Sequence, residues 1–327
     1  MVRRWGFRRG EGQQVVDSER KSGPGQSGNI LPADCKGGPN PDIEDTDMEL
    51  PISFFLPGPA GNLFAMYYPP AETGGDSGDV LYVHPFAGEM FASRHLIAAL
   101  ARGLASEGLG VLTVDLYGCG DSSGDFSDAR WEIWRDDLTA AVAWLQARGR
   151  DRLSLWGLRL GALLAMDFAA RSSETYEKIV LWQPVVTGRN MLTQFFRMNL
   201  DEADRGLSPA QLTDPEARRS LPDGNNIEVA GYELSRELIR EIDNLEIAAL
   251  GKAVSGPIHW MEVSDRAGNP FHPETLRVIE EWKQRAVRVI THKSVTAPFW
   301  LFPHTTDPAR LERELIGMFR DEYGNGK

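Results

Sequence analysis

The sequence predicts a doubly wound α/β fold, a mostly parallel sheet with helices on both faces and a small cap inserted late in the chain. Three observations predict it. From residue 48 onward, short apolar runs alternate with stretches of helical spacing, the pattern of strands joined by crossover helices. The apolar run Leu153-Ser154-Leu155-Trp156 is followed almost at once by Leu160-Gly161-Ala162-Leu163-Leu164-Ala165-Met166, so a buried strand reverses directly into a helix. The turn between them, Gly157-Leu158-Arg159-Leu160-Gly161, carries glycines two before and two after its apex. That spacing relieves crowding around one strained residue held above the carboxyl edge of a sheet, beside the unpaired N–H groups of a helix start.

The elements follow in order. Residues 1 to about 47 are rich in Gly, Pro, Ser, Asp and Arg without sustained periodicity, and read as a disordered tail ahead of a folded domain at 48–327. Ile52–Leu56 and Leu63–Tyr68 form an opening hairpin through Gly58-Pro59-Ala60-Gly61. Val80–His84 is a buried strand, Arg94–Ser106 a helix, Gly110–Leu116 a strand and Ala129–Arg148 a long amphipathic helix. After the strand–turn–helix unit comes the strand Lys178–Gln183. The rhythm then breaks over about 188–230, polar and irregular apart from an amphipathic piece, Met191–Leu200; this is the expected cap. Helical spacing resumes at Leu234–Leu245, and Ile258–Val263, Pro273–Arg285, Val287–Thr291 and Pro308–Phe319 complete the alternation.

Composition narrows the function. A net charge of −12 over 327 residues argues against nucleic acid as a partner. The two cysteines, Cys35 and Cys119, lack metal-ligand spacing, so neither a disulfide framework nor a metal site is expected, and no cofactor is called for. No apolar run is long enough to span a bilayer, and basic Met1–Arg9 has no apolar segment after it. The cytoplasm is the expected location.

Three motifs carry a resemblance. His84-Pro85-Phe86 after a strand, Asp115-Leu116-Tyr117-Gly118-Cys119-Gly120-Asp121-Ser122, and the Gly157–Gly161 turn resemble the oxyanion loop, the loop after the fourth strand and the nucleophile elbow of the α/β-hydrolase superfamily, over roughly residues 50–320. Longer strings, Pro85–Met90, Asp115–Phe126, Leu155–Ala162 and Phe55–Gly61, resemble one group in particular, the second of the two hydrolase-like proteins associated with exosortase A. The genes of that group lie near exosortase and exopolysaccharide systems in Gram-negative bacteria. The resemblance implies an ester or thioester hydrolase with residues in the chain order nucleophile, acid, histidine.

Arg159 stands at the nucleophile position. A guanidinium stays protonated at physiological pH and cannot attack a carbonyl, so the acyl-enzyme route is closed there. The backbone donors of an oxyanion site need no particular side chain, and Leu160 with Phe86 or Ala87 would supply them. Asp265 falls at the acid position, beside Arg266; Glu89 and Asp265 are candidate bases for a direct attack by water. His304 lies late and His292 early in the loop expected to hold the histidine, and Pro298-Phe299-Trp300 occupies the register where a His-aromatic pair would fall. Ser93, Cys119, Ser122 and Ser123 are the other candidate nucleophiles near this edge. The alternative to catalysis is a binding protein: Arg159 at a helix start suits a carboxylate or phosphate ligand, or it pairs internally with Glu89 or Asp265 and closes the pocket. Clustered aromatics, Trp156, Trp182, Phe195, Phe196, Phe299, Trp300 and Phe302, belong to the core and cap, or in part to a pocket for an acyl chain.

Overall fold

The computed structural model describes residues 50–72, 78–149, 152–202, 207–221, 226–251, 254–302 and 306–320. The expected tail at 1–47, Cys35 and His304 lie outside these residues. Strand β1 (Ile52–Pro57) pairs antiparallel with β2 (Asn62–Tyr68), as the hairpin signal requires. Then come β3 (Asp79–Val83), α1 (Gly88–Ser106), β4 (Gly110–Val114), α2 (Trp131–Gln146), β5 (Leu153–Leu158), α3 (Leu160–Arg171) and β6 (Ile179–Trp182). After an insertion, β9 (Ile258–Ser264), α9 (Pro273–Gln284), β10 (Val289–Val295) and α10 (Pro308–Phe319) finish the chain. The eight-stranded sheet has the order β1-β2-β4-β3-β5-β6-β9-β10, parallel from β4 to β10.

Burial explains why these segments are strands. Every residue of β3, β5 and β6 is buried, because crossover helices cover both faces of a parallel sheet. One face packs against α2 and α3 through Leu138, Val142, Leu163 and Met166. The other meets α1 and α10 through Leu100, Leu104, Leu311 and Leu315, with Trp156 and Trp182 beneath them. All of these are almost fully buried, each contributing about 1.5–3 kcal/mol as a large apolar side chain removed from water.

Two boundaries move from the sequence expectation. Helix α1 begins at Gly88, one and a half turns before Arg94: Met90, Ser93 and Ile97 already belong to its buried stripe, and Glu89 sits in its first turn where the dipole favours an acid. Strand β10 runs on to Val295 because it stays in register with β9 as far as Ser264.

The insertion between β6 and β9 holds α4 (Gly188–Met198), α5 (Pro209–Thr213), α6 (Pro215–Arg219), a hairpin of β7 (Ile227–Val229) and β8 (Tyr232–Leu234), α7 (Arg236–Asp243) and α8 (Ile247–Leu250). The hairpin was not expected. Its strands are too short to display alternation, and its two-residue turn is Ala230-Gly231, both at positive φ, instead of the Asn-Gly pair that announces such a turn.

One arginine fastens this cap. Arg218 of α6, with no exposed side-chain surface, donates to both carboxylate oxygens of Asp243 in α7 at 3.1 and 2.6 Å. Its remaining donors reach the Leu212 carbonyl, the Thr193 hydroxyl and the Arg189 carbonyl, so four helices share one saturated guanidinium. Removing either partner leaves a buried charge uncompensated. Arg218→Ala and Asp243→Ala are each expected to cost about 3–5 kcal/mol of unfolding free energy, measured by chemical denaturation; a loss below about 1 kcal/mol would show that the pair does not organise the cap.

Candidate functional site

The turn from β5 to α3 has the geometry its glycines announce. Arg159 sits at φ 56°, ψ −119°, a strained conformation for any side chain. A Cβ on Gly157 would lie 2.4 Å from the Ala162 Cα, and one on Gly161 would lie 2.3 Å from the carbonyl oxygens of Val83 and His84. The missing side chains therefore let the start of α3 rest directly on the end of β3. The Arg159 N–H donates to the Trp182 carbonyl at 3.0 Å, and its own carbonyl accepts from Ala162 at 3.1 Å. Positive φ recurs nearby: Ala87, Arg159, Gln183 and Ala230 are four of the five non-glycine cases among the described residues, and all four line cavities at this edge of the sheet.

Three neighbours define the Arg159 side chain. Its Nε donates to Oε1 of Glu89, in the first turn of α1, at 3.2 Å, with 13% and 16% of the two side chains exposed. Its guanidinium carbon lies 5.3 Å from the ring centroid of Trp300, a cation–π contact worth about 0.5–2 kcal/mol. Among the described residues its terminal Nη groups make no hydrogen bond to protein, and Arg159 lines a cavity of about 470 Å³. Burial pushes the Glu89 carboxyl above the usual carboxylate range, while the charge and hydrogen bond of Arg159 pull it back down. The internal pair and the open cavity, posed as alternatives by the sequence, coexist: Nε is occupied and the Nη edge is not.

The cavity wall comes mainly from α4. Met191, Phe195 and Met198 follow helical spacing and line it, while Leu192 and Phe196 are buried within the cap. Phe86 meets Phe195 edge-on at 5.3 Å, so the loop after β3 touches the lid. Gln194, Asn199 and Tyr232 add the few polar groups. Tyr232 was not legible because its hairpin was hidden. A second cavity, of about 200 Å³, lies on the far side of Arg159 and shares Met191 and Gln194 with the first. Of the aromatics noted in the sequence, Trp156, Trp182, Phe196 and Phe299 are core, Phe195 and Trp300 line the cavity, and Phe302 is exposed.

The oxyanion candidates come together. Phe86, Ala87 and Leu160 surround one void of about 10 Å³, and their N–H groups have no carbonyl acceptor among the described residues. His84 braces this loop: its Nδ1–H donates to the Pro85 carbonyl at 2.8 Å, and its Nε2 accepts from the Leu116 N–H at 3.2 Å, which fixes a neutral tautomer. Burial holds its pKa below the ordinary value.

The remaining catalytic candidates are elsewhere or occupied. Asp265 is exposed past β9, 3.4 Å from the Asn269 amide and 4.0 Å from Arg266, and lines neither cavity at Arg159. The carboxylate buried on that strand is Glu262, and it accepts the His272 N–H. His292 lies on β10 against His259, with ring nitrogens 3.0 Å apart; burial lowers its pKa to about 4. His272, not singled out from sequence, is exposed and lines the second cavity. The Ser93 hydroxyl donates to helix carbonyls, Ser122 bridges the Asp115 carbonyl and the Phe64 N–H, and Ser123 accepts from Asn62. Cys119 is buried, which pushes its thiol well up. Ser93 thus bonds within α1, and Ser122 and Ser123 tie the loop after β4 to β2.

Solved structures share this fold. Est1E from Butyrivibrio proteoclasticus with ferulic acid bound superposes with a TM-score of 0.59 at 16% identity, over 83% of this chain and 100% of that one. The chain has the α/β-hydrolase fold. An esterase of Pyrococcus furiosus gives 0.55 at 17% identity, over 86% and 93%, and an alpha-beta serine hydrolase homologue of Coxiella burnetii 0.51 at 16%, over 83% and 96%. The serine aminopeptidase S33 family model matches residues 80–223, from β3 into the cap. An acyl transferase of Shewanella hanedai is 36% identical over 73 residues, 22% of this chain; the match spans 24% of that protein's length. On the α/β-hydrolase fold the elbow residue is the nucleophile, and here it is a guanidinium held by a carboxylate and an indole. Among the described residues no group of three His, Cys, Asp or Glu side chains is placed to hold a metal, and no helix is long and apolar enough to cross a membrane.

The buried histidines set a pH dependence. With folded pKa values below the unfolded one, His84 and His292 contribute stability that is present above about pH 6.5 and lost as pH falls towards about 4. The melting temperature of His292→Gln is therefore expected to fall less than that of the wild type between pH 7 and pH 4.5. Parallel profiles would remove His292 from the account.

Proposed function

We propose that this chain is a ligand-binding protein on the α/β-hydrolase fold, with its nucleophile position converted into an anion site. The observation that carries this reading is the setting of Arg159: Nε engages Glu89, the Nη groups keep no partner among the described residues, and the residue lines the 470 Å³ cavity. The paired donors of a guanidinium at a helix start, facing a largely apolar pocket, suit an acidic guest. Retaining so large a side chain at positive φ costs about 1–3 kcal/mol, which supports a role for the side chain itself. The long motif strings support placing the protein with the exosortase A-associated hydrolase-like group, in the cytoplasm, acting on the acyl or acidic intermediates of exopolysaccharide or surface-protein export.

The second reading is ester or thioester hydrolysis. It is favoured by the N–H groups of Phe86, Ala87 and Leu160, residues that line one small void and have no backbone acceptor among the described residues, and by matches described as an esterase, a serine hydrolase homologue and an acyl transferase. Water activated by Glu89 would have to replace the serine, yet that carboxylate is committed to Arg159.

A fluorophosphonate probe separates the two. No site-specific labelling of the wild type is expected, and Arg159→Ser is expected to gain no hydrolysis of p-nitrophenyl butyrate. Labelling abolished by mutating a single serine would establish serine catalysis. Activity gained by Arg159→Ser and lost again on adding His304→Ala would show that the rest of the machinery is intact.

A further inference from the structure

We infer that the cavity at Arg159 takes a monocarboxylate with a medium-length acyl chain, bound head-first: carboxylate on the Nη edge of Arg159, chain running outward along Met191, Phe195 and Met198 to Leu301. This inference rests on the anion-site reading above and names its ligand.

The polarity of the cavity changes with depth. Its charged groups, Arg159 and Glu89, lie among buried neighbours, Phe86, Met191 and Trp300. Its outer wall is open to solvent, with the apolar Met198 52% and Leu301 38% exposed beside the exposed Gln194. An amphiphile entering such a pocket leaves its acidic end at the floor and its apolar part against the wall, where each methylene covered removes water from both surfaces. Met191 and Met198 suit a flexible chain, since an unbranched thioether adapts to an irregular guest.

Glu89 selects the head group. Its carboxylate neutralises the Arg159 charge, so the floor carries no net charge before the ligand arrives. A monoanion then meets one positive and one negative group and gains two parallel N–H donors in a fork that matches its two oxygens. A phosphate dianion doubles the attraction to Arg159 and the repulsion from Glu89 alike, and it loses more hydration in a poorly solvated site, which favours the monoanion. The volume sets the scale of the chain that the cavity can cover. A cavity of about 150 Å³ holds one benzene-sized guest, so about 470 Å³ takes roughly eight to twelve carbons with their head group.

Calorimetric titration of the full chain at pH 8 with decanoate, decanol and decyl phosphate, below their micellar concentrations, tests the inference. Decanoate is expected to bind with one-to-one saturation, and decanol at least about tenfold more weakly. Arg159→Gln is expected to weaken decanoate by about tenfold or more, with its folding checked by thermal unfolding. Glu89→Gln is expected to act in the opposite direction, tightening decanoate by about threefold or more and narrowing the gap to decyl phosphate; a merely misfolded variant cannot bind more tightly. Arg159-dependent binding of decyl phosphate in preference to decanoate would overturn the monocarboxylate inference and leave the anion-site reading standing. Binding of all three compounds unchanged by Arg159→Gln, or of none of them, would overturn both.

Discussion

A permanent charge inside a strained turn is the constraint on which the site depends. Arg159 cannot be neutralised by losing a proton, so the chain around it has to supply compensation. Glu89 supplies a carboxylate from the first turn of α1, and Trp300 an indole face from the loop after β10. Both come from elements that on a serine hydrolase serve other ends: the helix after the oxyanion loop, and the loop that usually carries the histidine. The elbow arginine, the carboxylate at the start of α1 and the indole after β10 thus form one physical unit. A single serine at position 159 would leave Glu89 without its counter-ion and Trp300 without its cation.

The scaffold beneath this unit is built on close backbone contacts and saturated hydrogen bonds. Gly157 and Gly161 still permit the close approach of α3 to β3. His84, with both ring nitrogens engaged, still fixes the loop that presents Phe86 and Ala87. Over it, the cap is held by Arg218 and Asp243, so the wall that α4 presents to the cavity has a defined position relative to the other cap helices. Four of the five non-glycine positive-φ residues among the described residues, Ala87, Arg159, Gln183 and Ala230, line the cavities between the sheet edge and the cap.

Most of the fold was legible because its signals are local. Continuous apolar runs marked β3, β5 and β6, and the Gly157–Gly161 spacing fixed the direct strand-to-helix reversal at Arg159. The short hairpin at 227–234 was hidden by three-residue strands and an Ala-Gly turn. The start of α1 was obscured by Gly88 after a proline-containing loop. The site was legible in parts: Glu89 was a foreseeable partner for Arg159, since buried arginines require one. The stacking of Trp300 on Arg159 was not foreseeable, because it joins the ends of two elements far apart in sequence. Asp265 illustrates the limit in the other direction. Its position just past a strand matches the acid of a hydrolase, yet the chain turns it outward to Asn269 and Arg266, a choice made by loop geometry that spacing does not record.

The central claim is that Arg159 and Glu89 form one coupled unit in place of a nucleophile. A double-mutant cycle on unfolding free energy, with Arg159→Gln, Glu89→Gln and the pair, measures that coupling directly. The account predicts an interaction energy of about 1–3 kcal/mol, the double variant being more stable than the sum of the single losses implies. Additive effects within about 0.3–0.5 kcal/mol would mean that the two side chains are independent, and would contradict it.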